Sequence, residues 1–293
     1  MPLSDREIEA LISLLDDTDV EVVQHVEEKL VSLGIEGIHI LEYAFENIKE
    51  AEIQLRVEEI IERIQFENTR DLLQMWLHEG AEDLMEGALL VCKFQYPDLD
   101  TIKFVQKIQK IAQSVWIELN QSLTPLEEIN VLNHVIFNLH GFVGEGEHPF
   151  EPTLGYISDV VHSRRGNSIS LGLLYLLIAQ ENKLTIYGIN LPYHFILAYT
   201  KSDLSFEELK QGNSSQQVIF YINPLNNGMV FSRAEITNYL ERSKIPVKES
   251  FYSPSHPKEI IKALILYQIN AYEQSGQIEK GRKMKELYSL FLI

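Results

Sequence analysis

Ser168, His194 and Asn223 are the residues of this 293-residue chain whose types and order can do chemistry. Ser168 follows Gly166-Asn167 and precedes the apolar run Ile169 to Gln180, so it reads as the start of a long helix. A helix start offers unpaired N–H groups and the positive end of the helix dipole, and both stabilise a developing anion. His194 lies in LPYHFILAY near the beginning of a strand, and Asn223 closes the next strand in YINPLNNG. A nucleophile at a helix start, an imidazole to take its proton and an amide to orient that imidazole make up an acyl-transfer site. Arg165, Asn167 and Tyr193 flank these positions and read as its binding residues. The nucleophile is a hydroxyl, far less acidic than a thiol, which limits the catalysis such a trio supports.

Each residue also has a plainer role. A serine at a helix start is commonly an N-cap. GNSIS is not a nucleophile elbow, because its fifth residue is Ser170 rather than glycine. A single histidine on an apolar strand is often a hydrogen-bonded core residue, and Asn223 before Pro224 is a routine turn residue. Other chemistry is sparse. His134 and His140 are six apart on one helix, while His148 and His162 belong to a loop and the next helix, so no metal site and no cofactor is expected. Cys92, in GALLVCKF, reads as a buried structural cysteine.

The elements that must position these residues are legible from periodicity. Residues 4–65 read as four helices: Ser4 with Glu7 as a capping box, Asp16 to Asp19 as a turn and N-cap, and Gly34 as a stop. From Thr69 to His140 the pattern stays helical, with segments 71–79, 82–94, 102–122 and 125–139, the last opened by Thr124-Pro125. Residues 141–153 are dense in Gly and Pro and read as a loop. A short helix, an Arg164-Arg165-Gly166 turn, the apolar helix and two strands follow. A polar insertion, 201–217, precedes the third strand, and helices 258–274 and 278–290 are hinged at Ser275-Gly276.

LNHVIFNLHGFVG (132–144), TLGYISDVVHSRRGNSISLGLLYLLIA (153–179), YGINLPYHFIL (187–197) and YINPLNNG (221–228) together resemble the SirB-type branch of the transglutaminase-like superfamily. The resemblance covers roughly residues 70–230. It implies an α+β fold in which a helix packs on an antiparallel sheet, and a site of Cys, His and Asp in the active enzymes. Ser168 then falls on the Cys position, His194 on the His and Asn223 on the Asp. The branch itself commonly lacks the cysteine, and an amide at the Asp position orients an imidazole without stabilising its charge. The helix, DDTD turn, helix, glycine order near the start resembles HEAT-like repeats, and the last two helices a shortened tetratricopeptide unit. The expected organisation is 1–68 as HEAT-like repeats, 69–245 as the SirB-type domain (helical lead-in 69–140, core 141–245) and 246–293 as the hairpin.

Charge and composition bound the partners. The net charge is −18, and residues 1–65 contribute 17 acids against 5 bases. With no basic cluster beyond Arg164-Arg165, nucleic acid and anionic membrane are not expected partners. An apolar share of 45% places the chain among globular proteins rather than disordered ones. One cysteine excludes an intrachain disulfide and fits a reducing cytoplasm. The N-terminal residues carry no signal pattern. The reading is a non-catalytic transglutaminase-like protein that binds a protein or peptide in the old cleft. The alternatives are a serine-dependent acyl hydrolase or transferase using Ser168, His194 and Asn223, and a purely structural scaffold.

Overall fold

The computed structural model describes residues 5–146 and 150–292. The expected Ser4 cap and His148 lie outside the described residues. The chain forms one compact unit up to Met75 and a second from Trp76 onward.

In the first unit, helices α1 (Asp5–Ser13), α2 (Val20–Val31), α3 (Ile38–Asn47) and the first part of α4 (Ala51–His78) enclose a core of their own. Asp19 caps α2, its Oδ1 accepting from the Glu21 N–H at 2.9 Å, and Gly34 takes φ +62° just beyond the helix end. The stripes predicted from spacing meet there: Ile8, Ile12, Leu15, Val26, Leu30, Leu41, Val57, Ile60 and Ile64 are all buried in one cluster. The break expected before Asp71 is absent, because α4 runs unbroken from Ala51 to His78. Thr69, which sequence suggests as a boundary, returns its hydroxyl to the Gln65 carbonyl at 2.9 Å and so sits inside the helix.

The second unit begins with α5 (Leu84–Gln95), α6 (Thr101–Glu118) and α7 (Pro125–Asn133). Thr124 and Glu127 form the capping box of α7, with Pro125 at its first position. The helix expected to reach Leu139 widens instead into a π-helical turn from His134 to Leu139. The change falls at Asn133, whose amide donates to the Gly228 carbonyl and accepts from the Tyr175 hydroxyl, both at 3.0 Å. Strand β1 (Val143–Gly144) lies in the stretch expected to be loop. After α8 (Ile157–Ser163), Arg164 alone makes the turn, at φ +63°. Strand β2 (Arg165–Gly166) then pairs in parallel with β1.

Helix α9 (Ser168–Glu181) is apolar on every side and buried from Ile169 through Ala179, as a central core helix must be. Each such leucine contributes roughly 1.5–3 kcal/mol on burial. Beside it lies an antiparallel sheet of β3 (Ile186–Leu191), β4 (His194–Thr200), β5 (Val218–Asn223) and β6 (Met229–Phe231), in that order. Gly172 allows close approach, since a Cβ there would stand 2.4 Å from Phe195 Cδ1. The insertion between β4 and β5 is not bare loop: Ser205 and Glu208 box the start of α10 (Phe206–Gln211). The opposite sheet face, through Ile189, Ile196, Ala198 and Tyr221, joins Ile236 and Leu240 of α11 (Arg233–Arg242) in a second cluster.

Helices α12 (Pro257–Gln274) and α13 (Ile278–Ser289) form the C-terminal hairpin, turned at Gly276 with φ +76°. Helix α12 packs on α5, where Gly87 leaves room for Ile261, and Asn190 of β3 donates to the Glu259 carbonyl at 3.0 Å. The architecture is α+β: a helical first part, a helix-on-sheet module and a helical hairpin. Among the described residues no helix is long and apolar enough to cross a membrane.

Candidate functional site

Ser168 is not the cap of its helix. Asn167 holds that place, with Oδ1 accepting from the Ser170 N–H at 2.9 Å and its own N–H donating to Ser170 Oγ at 3.0 Å. This reciprocal box relieves Ser168 of capping and leaves its half-buried hydroxyl at the first turn of α9. That hydroxyl accepts a long bond, 3.4 Å, from the N–H of Phe195. The serine therefore lies against the backbone that immediately follows His194. Asn167 Nδ2 is buried without a well-formed partner; nearby Tyr267 has its phenol pushed up to about 12 by burial, an effect that Asn167 only partly offsets.

His194 opens β4, directly after the two-residue turn Pro192-Tyr193. Alternation along the strand sends Phe195 toward α9 and places His194 with Ile196 and Ala198 on the α11 side. The imidazole stands edge-on to the Tyr239 ring, with centroids 5.1 Å apart. Tyr239 also donates its hydroxyl to the Pro192 carbonyl at 2.8 Å, so one side chain fixes both the turn and the ring. Packing of the ring holds the His194 pKa below its ordinary value, even though the residue keeps a solvent-facing side. A neutral imidazole results near pH 7. No hydrogen bond joins it to Ser168 or Asn223 among the described residues.

Asn223 stands opposite Ile196 by extension of the β4–β5 register and is thus diagonal to His194 on the same face, a relation that spans about 7–8 Å. Its Oδ1 is occupied by the turn that follows, accepting from the N–H groups of Leu225 at 3.1 Å and Asn226 at 3.3 Å. Arg165 is paired with Glu145, and Arg164 reaches the His140 carbonyl and lies 5.0 Å from the Phe142 ring. Both arginines thus tie down the strand that precedes the nucleophile position. Tyr193 is 89% exposed at φ +65°, a conformation uncommon for a bulky side chain.

Two cavities meet at His194. The larger, about 520 Å³, has Ser168, Ile169, His194 and Phe195 on one side and the α12 stripe Glu259, Lys262, Ala263, Leu266, Tyr267 and Asn270 on the other. The smaller, about 180 Å³, is bounded by His194, Asn223, Glu235 and Tyr239. Sequence reasoning missed Tyr239 and the α12 wall. The wall was legible as an i, i+3, i+4 stripe, whereas nothing in the spacing joins Tyr239 to His194. Among the described residues no three His, Cys, Asp or Glu side chains gather as a metal ligand set.

Residues 102–265, more than half of the chain and all of the helix-on-sheet module, match the family model of the transglutaminase-like superfamily. The chain belongs to the transglutaminase-like superfamily. The matched part of this transglutaminase-like chain includes Ser168, His194 and Asn223. It is similar to a UPF0162 protein of Xylella fastidiosa, with 28% identity over 138 residues, 45% of this chain and 49% of that one. A UPF0162 protein of Pasteurella multocida is 24% identical over 141 residues, 47% and 53% of the two chains. One from Vibrio cholerae is 22% identical over 202 residues, 69% of each. The match thus spans about half the length of the Xylella relative. No solved structure gives a significant match.

Proposed function

We propose that this chain is a SirB-type, non-catalytic member of the superfamily that binds a peptide or protein segment in the cleft between α9, β4 and α12. One observation carries the reading: the 520 Å³ cleft is open at Ser168 and His194, yet the hydroxyl is bonded to a backbone N–H and the imidazole rests on Tyr239. A pocket that keeps its volume while its nucleophile and base stay apart suits recognition better than turnover. Leu266, Tyr267, Phe150 and Tyr193 offer the apolar and aromatic surface on which peptides gain affinity. HEAT-like helices before the module and a tetratricopeptide-like hairpin after it fit a binding role, since such units supply extended surfaces. A single cysteine, and that one buried, suits a reducing cytoplasm.

The test is selection of peptides from a random display library on the full chain. Selected peptides should lose at least about tenfold in affinity on Leu266→Glu, which places a charge on the cleft wall and corresponds to about 1.4 kcal/mol. Peptides whose affinity ignores Leu266→Glu would remove the cleft as the binding site. The second reading, a serine-dependent acyl hydrolase or transferase, draws on the freedom of Ser168 from capping. It requires fluorophosphonate labelling of Ser168 that His194→Ala abolishes.

A further inference from the structure

His194 lines both cavities, the one it shares with Tyr239 and the one it shares with Ser168. Ser168 Oγ is 3.4 Å from the Phe195 nitrogen. That nitrogen is about 2.4 Å from the His194 Cα by covalent geometry, so the serine oxygen lies within about 6 Å of the Cα, inside the sweep of the ring. The ring nevertheless sits edge-on to Tyr239, which is itself fastened to Pro192 at 2.8 Å. Tyr239 belongs to α11, an element buried through Ile236 and Leu240, so its ring is held by the fold rather than by a mobile surface segment.

From this geometry we infer that His194 has two seats, one on the Tyr239 ring and one beside Ser168, and that Tyr239 is the positioning residue that keeps it on the first. The inference rests on reading the Ser168–His194 cleft as the family's site. It adds why that site is at rest: an aromatic edge contact holds the base away from the hydroxyl, and nothing in the covalent geometry of β4 prevents the return. Rotation about the His194 side-chain torsions moves the ring between the two cavities with no change in strand register. The neutral state of the imidazole favours the aromatic seat, since a ring without charge leaves water at less expense.

The experiment is imidazole NMR of the full chain with labelled histidine, run on wild type, Tyr239→Phe and Tyr239→Leu. In wild type the His194 ring protons should be shifted upfield by the neighbouring aromatic ring and show contacts to Tyr239. Tyr239→Phe keeps the ring and should keep the shift. Tyr239→Leu should lose it, raise the His194 titration toward its ordinary value and bring contacts to the Ser168 β-protons. Fluorophosphonate labelling of Tyr239→Leu then separates this inference from the binding proposal. If His194 moves and Ser168 stays unlabelled, two seats exist and the non-catalytic reading stands. If His194 moves and Ser168 gains His194-dependent labelling, two seats exist and the cleft does acyl chemistry once released. His194 signals that are the same in Tyr239→Leu and wild type overturn the inference. Should Tyr239→Leu fail to fold, wild type alone decides, because contacts from His194 to Ser168 and none to Tyr239 would equally overturn it.

Discussion

Asn167 and Ser168 are neighbours with opposite jobs. Asn167 spends its carbonyl on the Ser170 N–H and is 5% exposed, so Asn167→Ala should destabilise the protein by about 1 kcal/mol, the usual worth of an N-cap. Ser168→Ala removes only a long 3.4 Å contact and should stay within about 0.5 kcal/mol of wild type. Urea titration of both variants checks the pair, and equal losses would mean that the hydroxyl shares the capping. A thiol at the same place asks a different question. Ser168→Cys sets a sulfur at a helix N-terminus, where thiols ionise more readily than in water. Iodoacetamide should then modify position 168 at neutral pH. Cys92, with its thiol pushed up to about 11 by burial, should remain unmodified in the native state. Native labelling of Cys92 would show that its helix opens.

Between elements, the decisive contacts join segments far apart in the chain. Asn133, at the end of α7, braces the turn after Asn223 by donating to the Gly228 carbonyl. Gly228 has φ +70°, and a Cβ there would meet Asn133 Oδ1 at 1.8 Å. Gly228→Ala should therefore cost about 1–3 kcal/mol through strain and displacement of Asn133. A thermal melt unchanged by the substitution would mean that the brace is dispensable. This contact also marks where sequence reasoning stops. The apolar run of α9, the strands around His194 and Asn223 and the Thr124 box follow from periodicity and capping rules that act within a few residues. Helix α10 hid in a polar stretch, because six residues show too little of a 3.6-residue period. The continuity of α4 through Thr69 depended on a hydroxyl turning inward to Gln65. The meeting of Tyr239 with His194 is fixed by the packing of α11 on the sheet. It leaves no trace at either position.

For the whole molecule, acidity acts through three histidines. His140, His194 and His256 are all held below their ordinary pKa, in each case first by burial. The charge of Arg164 adds to this at His140. At His256, Lys210 and Lys258 push the value down while Glu82 and Glu259 pull it up. His256 is also the cap of α12: its Nδ1 accepts from the Lys258 N–H at 3.1 Å, and its Nε2 is buried without a partner. A ring that accepts through Nδ1 must lose that bond when it protonates there. Because the folded values lie below the unfolded ones, the unfolded chain binds more protons in the interval between them. Stability is therefore complete above the ordinary value of about 6.5 and falls as pH drops through the folded values. Carboxylates held low by their own caps, such as Glu127, Glu208 and Glu235, act in the same direction, but only below their unfolded range near 4.5. Asp159 and Glu86, raised first by burial, act in the opposite direction, from their unfolded values upward. Across the span from about pH 7.5 to about 5.5 the carboxylates held low stay ionised while the three histidines take up protons more readily in the unfolded chain, so the melting temperature should fall. His256→Asn supplies a cap that does not titrate, so its melting temperature should fall less over the same span. A wild-type melting temperature that holds constant would mean that the three rings are hydrated in solution. An equal fall in His256→Asn would assign the loss to His140 and His194 rather than to the cap of α12.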